Sequence, residues 1–396
     1  MSGDSGFAWT PTREQAGSSR LRRFIDTLGA DDLDGVARIA REDPQRFWEA
    51  MVDDIGVAWT RRFDVAMDTS PGLPWTQFWR GGKLNLAHNA VTRWAQRVPD
   101  RIAVVSEGDD GRVREWTYAD LERETAYAAS KLHMLGIRTG DSVGLCMPMI
   151  PETVSIFLAC AWVGAVVVPL FSGYGAGAIV SRLRDCDAKV LVVVDGFIRR
   201  GRRVEMKAVA DEAAAQLPSL EHILVVPNLG GAEVPMRADR DVLYTPLPAG
   251  ATNVDWPVAD TDADSTFMLI YTSGTTGRPK GTVHVHGGFP VKATQDMAHC
   301  FDIGEHDRLL WFTDIGWMMG PWAICGALSI GATLVLFDGV PDHPGPDRLW
   351  SVVERHHVSV LGIAPTVIRA LMRHGDEPVA AHDLSSLRVL GSTGEP

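Results

Sequence analysis

From Val91 onward, short apolar runs rich in Val, Ile and Leu alternate with longer segments of helical spacing. The runs at 143–147, Val166–Leu170, Val190–Val194, His222–Val226, 266–271, 309–312, 333–337 and 358–363 predict strands. Continuous rather than alternating apolar character marks strands covered on both faces. Helix signals fill the gaps. Thr117, with Asp120 three residues on, predicts an N-cap, and Gly136 a stop. Pro151 suits a first helical turn and Gly164 a stop, and 349–356 and 366–374 repeat the theme. The alternation predicts an α/β fold with parallel-rich sheets flanked by helices.

The uncharged run 153–181 is strongly apolar only over 156–171, and that part contains Gly164 and Pro169. It is too short for a membrane span and predicts a buried helix followed by a buried strand. Residues 1–84 read as a helical, aromatic extension carrying Trp48, Trp59, Trp75 and Trp79, with a mobile stretch over 1–20. Residues 85–396 form the main α/β domain, and 232–264 is expected to be a surface connection. The last ten residues read as a strand entering a glycine loop, so the domain is expected to be incomplete.

Composition narrows the classes. Hydrophobic residues at 45% and charged residues at 22% exclude a disordered tail, a collagen repeat and a simple coiled coil. A net charge of −12 argues against a nonspecific nucleic-acid binder. Cys146, Cys160, Cys186, Cys300 and Cys325 are widely spaced, with no CxxC pair, so neither a disulfide framework nor a cysteine zinc site is expected. With no apolar leader in 1–23, a cytoplasmic setting is expected. His284-Val-His286 and His356-His357 lack a third ligand at supporting spacing and read as strand or helix-surface histidines.

The chemistry concentrates after the apolar run 266–271. Glycines at 274, 277 and 281, hydroxyls at Thr272, Ser273, Thr275 and Thr276, and then Lys280 follow within ten residues. Glycines let backbone N–H groups converge on an anion, and a lysine adds a mobile positive charge. A plain polar turn rarely carries so many donors. A P-loop needs glycine before its lysine and Ser or Thr after it; here Pro279 and Gly281 hold those places.

The stretch Tyr271-Thr-Ser-Gly-Thr-Thr-Gly-Arg-Pro-Lys-Gly281 resembles the phosphate-binding signature of the adenylate-forming superfamily. Segments at 78–85, 147–152, 198–202, 314–317, 364–370 and 391–396 are similar to AMP-forming acetyl-CoA synthetases and their short- or medium-chain acyl relatives. The resemblance runs from about Leu33 to the last residue. It implies the large N-terminal domain of that fold, lacking the small C-terminal domain and its catalytic lysine. It also implies a ligase that converts a carboxylic acid and ATP, carrying Mg²⁺, to an acyl-adenylate, and then forms acyl-CoA from CoA.

By the same resemblance, Thr272, Ser273, Gly274, Thr275, Thr276, Gly277 and Lys280 hold ATP phosphates, and Gly394, Glu395 and Pro396 line the adenine pocket. Trp317, Met318, Met319 and Thr393 border the acyl pocket, and Arg199, Arg202, Asp342 and Ala364 lie along the CoA path. Acetyl-CoA synthetases typically carry Val then Thr after that Trp, and Val in place of Thr393, so strict acetate specificity is not expected. Two function classes stay open at this point: an acyl-CoA ligase of which this is an inactive or weakly active portion, and a non-catalytic nucleotide- or acyl-CoA-binding remnant or partner subunit.

Overall fold

The computed structural model describes residues 10–229, 234–245, 247, 256–272 and 279–394. Two sheets organise them. In the larger, seven strands lie in the order Asp241–Leu243, His222–Val226, Val190–Val194, Ser142–Cys146, Val166–Leu170, Thr266–Thr272 and Lys280–Val285. All neighbours are parallel except the last pair. In the smaller, six strands lie in the order Val389–Gly391, Val360–Gly362, Arg308–Trp311, Thr333–Asp338, Ile102–Gly108 and Val113–Thr117. Again only the last pair is antiparallel. Strands Val190–Val194 and Val166–Leu170 are buried at every position, which is why they read as unbroken valine-rich runs.

Helices Pro151–Val163 and Met319–Ile330 are buried all round, every residue but Glu152 in the first and Met319 in the second. Such helices have no polar stripe because neither face meets water. Glu152 is held by the Arg114 fork through bonds of 2.6 and 2.8 Å. The apolar segment 156–171 is thus a buried helix and strand, as the sequence predicts. No helix among the described residues is long and apolar enough to cross a membrane.

Several expectations change. Helices Arg13–Ser18 and Arg20–Thr27 occupy part of the stretch expected to be mobile. Thr12 caps the first, and the Arg20 backbone N–H donates to Asp302 at 2.7 Å. The connection 232–264 contributes the edge strand Asp241–Leu243. Its Asp241 carboxylate is fully buried between Lys207 and Arg240, each 2.7 Å away. A charged residue paired inside the protein looks, in sequence, like a surface one. The aromatic extension is anchored by Trp79, whose indole N–H donates to the Gly287 carbonyl at 2.6 Å. Trp48, Trp59 and Phe63 pack around that ring with centroids 5.0–6.0 Å away.

One buried carboxylate ties the second sheet to its helices. Glu107, with no exposed surface, sits in strand Ile102–Gly108 and accepts from Arg348, from Arg355 at 2.6 Å and from His356. Arg348 also donates to the Gly108 carbonyl at 2.8 Å. Burial alone would raise the Glu107 pKa, but the His356 and Arg348 bonds outweigh it and hold the carboxyl below its ordinary value. His356 is therefore committed to an internal ion cluster. A carboxylate with a lowered folded-state pKa stabilises the fold above the ordinary carboxylate range, and that contribution is lost as pH falls through the lowered value. Glu107→Ala strands a buried guanidinium and is expected to cost about 3–5 kcal/mol in urea unfolding at pH 7.

Candidate active site

In open parallel sheets, ligands bind beyond the carboxyl ends of the strands. Here those ends, from both sheets, meet around one cavity of about 560 Å³. Phe171 follows strand Val166–Leu170, Asp314 to Met319 follow Arg308–Trp311, and Asp338 closes Thr333–Asp338. Ala364 follows Val360–Gly362, and Thr393 and Gly394 follow Val389–Gly391.

The loop after Arg308–Trp311 is fixed by two contacts with the other sheet. Asp314, 7% exposed, accepts from the Ser172 backbone N–H at 3.3 Å, from the Ser172 hydroxyl and from the Gly316 N–H at 2.9 Å. Burial nonetheless raises its pKa. At Gly316, a Cβ would lie 2.1 Å from the Phe171 backbone nitrogen, so only glycine permits this approach. The loop then delivers Trp317, whose ring centroid is 5.6 Å from that of Phe171, followed by Met318 and Met319 at the start of helix Met319–Ile330.

The structure brings Trp317, Met318, Met319, Thr393, Arg199, Ala364 and Gly394 to this one cavity. Trp317 and Met318 are 57% and 38% exposed, so they form its wall rather than fill the core. Arg202 and Asp342 are absent from the lining. Arg199 and Arg202 face each other across a hairpin, Gly196–Arg199 with Arg202–Glu205, whose turn residues Arg200 and Gly201 have φ of 50° and 69°. The Gly201 N–H donates to Asp109 at 3.0 Å, and Arg200 binds Asp342 at 2.8 Å. Asp342 thus holds the hairpin by its tip.

Thr272 and Lys280 lie opposite each other in the antiparallel pair, both exposed. Ser273, Gly274, Thr275, Thr276 and Gly277 between them, and Glu395 and Pro396 beyond Gly394, lie outside the described residues. The strand beneath is pinned by the Tyr271 hydroxyl, which donates to Asp185 at 2.8 Å. His286 is fully buried, not on a surface. Its Nδ1 accepts from the Leu86 N–H at 3.2 Å, and burial pushes its pKa down to about 3. Among the described residues, no group of three His, Cys, Asp or Glu side chains could hold a metal ion.

Sequence reasoning missed Asp338. It is 8% exposed and lines the cavity, and its carboxylate accepts no hydrogen bond among the described residues. Burial pushes its pKa up to about 7; Arg199 opposes the shift, while Asp314, Asp109 and Asp110 add to it. The only signal was an acid ending an apolar run, where a strand meets its carboxyl-end loop. A carboxyl raised in the folded state stabilises fully below its unfolded pKa, and that contribution is lost as pH rises through the folded value. Asp338→Asn should therefore raise the melting temperature by an amount that grows between pH 4 and about 7 and is flat above. Scanning calorimetry across that range checks it.

Residues 91–396 match the family described as AMP-binding enzyme, and residues 35–90 match the acetyl-coenzyme A synthetase N-terminus. The chain belongs to the AMP-binding enzyme family. Among curated proteins it is similar to the acetyl-coenzyme A synthetase of Deinococcus radiodurans, at 39% identity over 91% of this chain and 55% of that protein. The acetyl-coenzyme A synthetase of Rubrobacter xylanophilus is 40% identical over 91% of this chain and 56% of its own length. The solved structure of acetoacetyl-CoA synthetase from Streptomyces lividans superposes with a TM-score of 0.90 at 29% identity. That match covers 98% of this chain and 60% of the other. The chain spans about half the length of the curated relatives it matches.

Proposed function

We propose that this chain serves an AMP-forming acid–thiol ligase that activates a short- or medium-chain carboxylic acid with ATP and passes the acyl group to CoA. One observation carries the reading: the carboxyl ends of both sheets converge on a cavity with an apolar wall, Trp317 to Met319, and a guanidinium, Arg199. Adenylation replaces a poor leaving group by a phosphate ester, and catalysis of that step is chiefly positioning and charge stabilisation. Residues 272–277 and Lys280 would grip the β- and γ-phosphates of ATP, with Mg²⁺ arriving on the substrate. Gly394, Glu395 and Pro396 would border the adenine. The acyl chain would lie against Trp317, Met318, Met319 and Thr393.

Arg199 and Arg202, directly opposed, cost energy as like charges. A phosphate of CoA shared between their forks would offset that cost. Asp342 would act by holding Arg200, and Ala364 would leave room for the pantetheine arm. The free cysteines suit a cytoplasmic setting.

Titration calorimetry with acyl-sulfamoyl-adenosines from acetyl to octanoyl tests the reading. Tight binding with a length optimum supports it, whereas no binding by any member overturns it. Lys280→Ala is expected to weaken ATP about tenfold, the order of one charge-assisted hydrogen bond, while AMP changes less than about twofold. Equal losses for ATP and AMP would remove Lys280 from the β,γ-phosphate site.

A further inference from the structure

The proposed acyl transfer leaves one proton unassigned. The coenzyme's sulfur enters as a thiol, with an ordinary pKa near 8.5, and leaves in a thioester without hydrogen. The departing phosphate of AMP is a weak base at neutral pH and does not need that proton. A group lining the cavity is placed to take it, and among the described residues the ionisable side chains there are Arg199, Asp314 and Asp338. Arg199 cannot accept a proton. Asp314 is committed to Ser172 and Gly316. Asp338 alone keeps free lone pairs.

Asp338 also lines a second, smaller cavity. That space, about 40 Å³, is lined by Asp109, Asp110, Arg112, Arg114 and Asn228 among others, with Asp338 in the shared wall. It has room for a water. One Asp109 oxygen is buried there without a partner, while the other is held by the Gly201 N–H at 3.0 Å. Asp338 thus lines both the large cavity and a polar space that holds an unpartnered acceptor. Its place is set by the sheet: it pairs in register with Gly108, whose carbonyl is clamped by Arg348.

We propose that Asp338 is the general base of acyl transfer, with Asp109 and the small polar cavity as its proton outlet; this rests on the ligase reading above. The sulfur lone pair forms the bond to the acyl carbon. The bond from that carbon to the phosphate oxygen breaks, its electron pair leaves with AMP, and the thiol proton passes to the Asp338 carboxylate. Release through a water to Asp109 and bulk solvent resets the base. The charged groups facing Asp338 are Arg199, Asp314, Asp109 and Asp110, with Arg112 and Arg114 across the small cavity. Such a base works only when ionised, so transfer should be fast above about pH 7 and fall below it.

The test bypasses adenylation by giving the full chain synthetic butyryl-adenylate and CoA, and following thioester formation in a single turnover from pH 5.5 to 8.5. The wild type should lose rate about tenfold per pH unit on the acid side. Asp338→Asn should be on the order of a hundredfold slower at pH 8 and lack the acid limb, with CoA affinity changed less than about twofold. Asp338→Glu should restore the limb. Asp109→Asn removes a neighbouring negative charge, so its acid limb should move to lower pH. A wild-type rate and limb in Asp338→Asn would overturn the proposal. So would an unmoved limb in Asp109→Asn, or CoA binding by the wild type without thioester. Failure to bind either CoA or butyryl-adenylate would instead strike the ligase reading, and the inference with it.

Discussion

The junction between Asp314 and Ser172 sets how the loops of the two sheets meet at the cavity. The two sheets share one apolar core, and the loops at their carboxyl ends meet around the cavity. A buried carboxylate joins those loops by accepting from Ser172 and, at the same time, from the Gly316 backbone. The absence of a side chain at Gly316 then lets two backbones touch. The raised pKa of Asp314 records the electrostatic cost of that arrangement, since a charge buried for geometry is less stable than one in water.

The rest of the architecture supplies rigidity behind that junction. Two predominantly apolar helices, Pro151–Val163 and Met319–Ile330, are buried except at Glu152 and Met319, and the second begins at the wall of the cavity. Its first residue, Met319, is also the end of the cavity-facing loop. Glu107 does the equivalent work for polar groups, fixing helix Arg348–Arg355 to the strand beside the one that ends in Asp338. Apolar packing sets where the walls stand, and one internal ion cluster sets where the strand ends.

How far this could be read in advance depended on burial. Strands covered on both faces, such as Val190–Val194 and Val166–Leu170, appear in sequence with their true limits because nothing polar interrupts them. The strands at the antiparallel edges, Val113–Thr117 and Lys280–Val285, mix charge with β-branched residues and carry no comparable signal. Asp241–Leu243 was hidden for a different reason: its acid is neutralised by Lys207 and Arg240, and partners so distant in sequence cannot be paired by inspection. Among the proposed site residues, the glycine loop and the Trp317 segment stand out in sequence through rare composition. Asp338 does not, since one aspartate after a strand is ordinary until two cavities are seen to share it.

The Arg199–Arg202 hairpin has a kinetic side. The protein as a whole is strongly acidic, and a polyanionic ligand approaching it meets repulsion from most directions. Two guanidiniums flanking the turn of a hairpin make a small basic patch in that field. Added salt screens the broad repulsion over distances beyond about 8–10 Å, but weakens less the direct contact at that patch. For the phosphate grip proposed above, capture of a polyphosphorylated ligand should therefore be gated by ionic strength: slow in dilute buffer, quickening as salt reaches physiological levels, and then declining once the basic patch itself is screened.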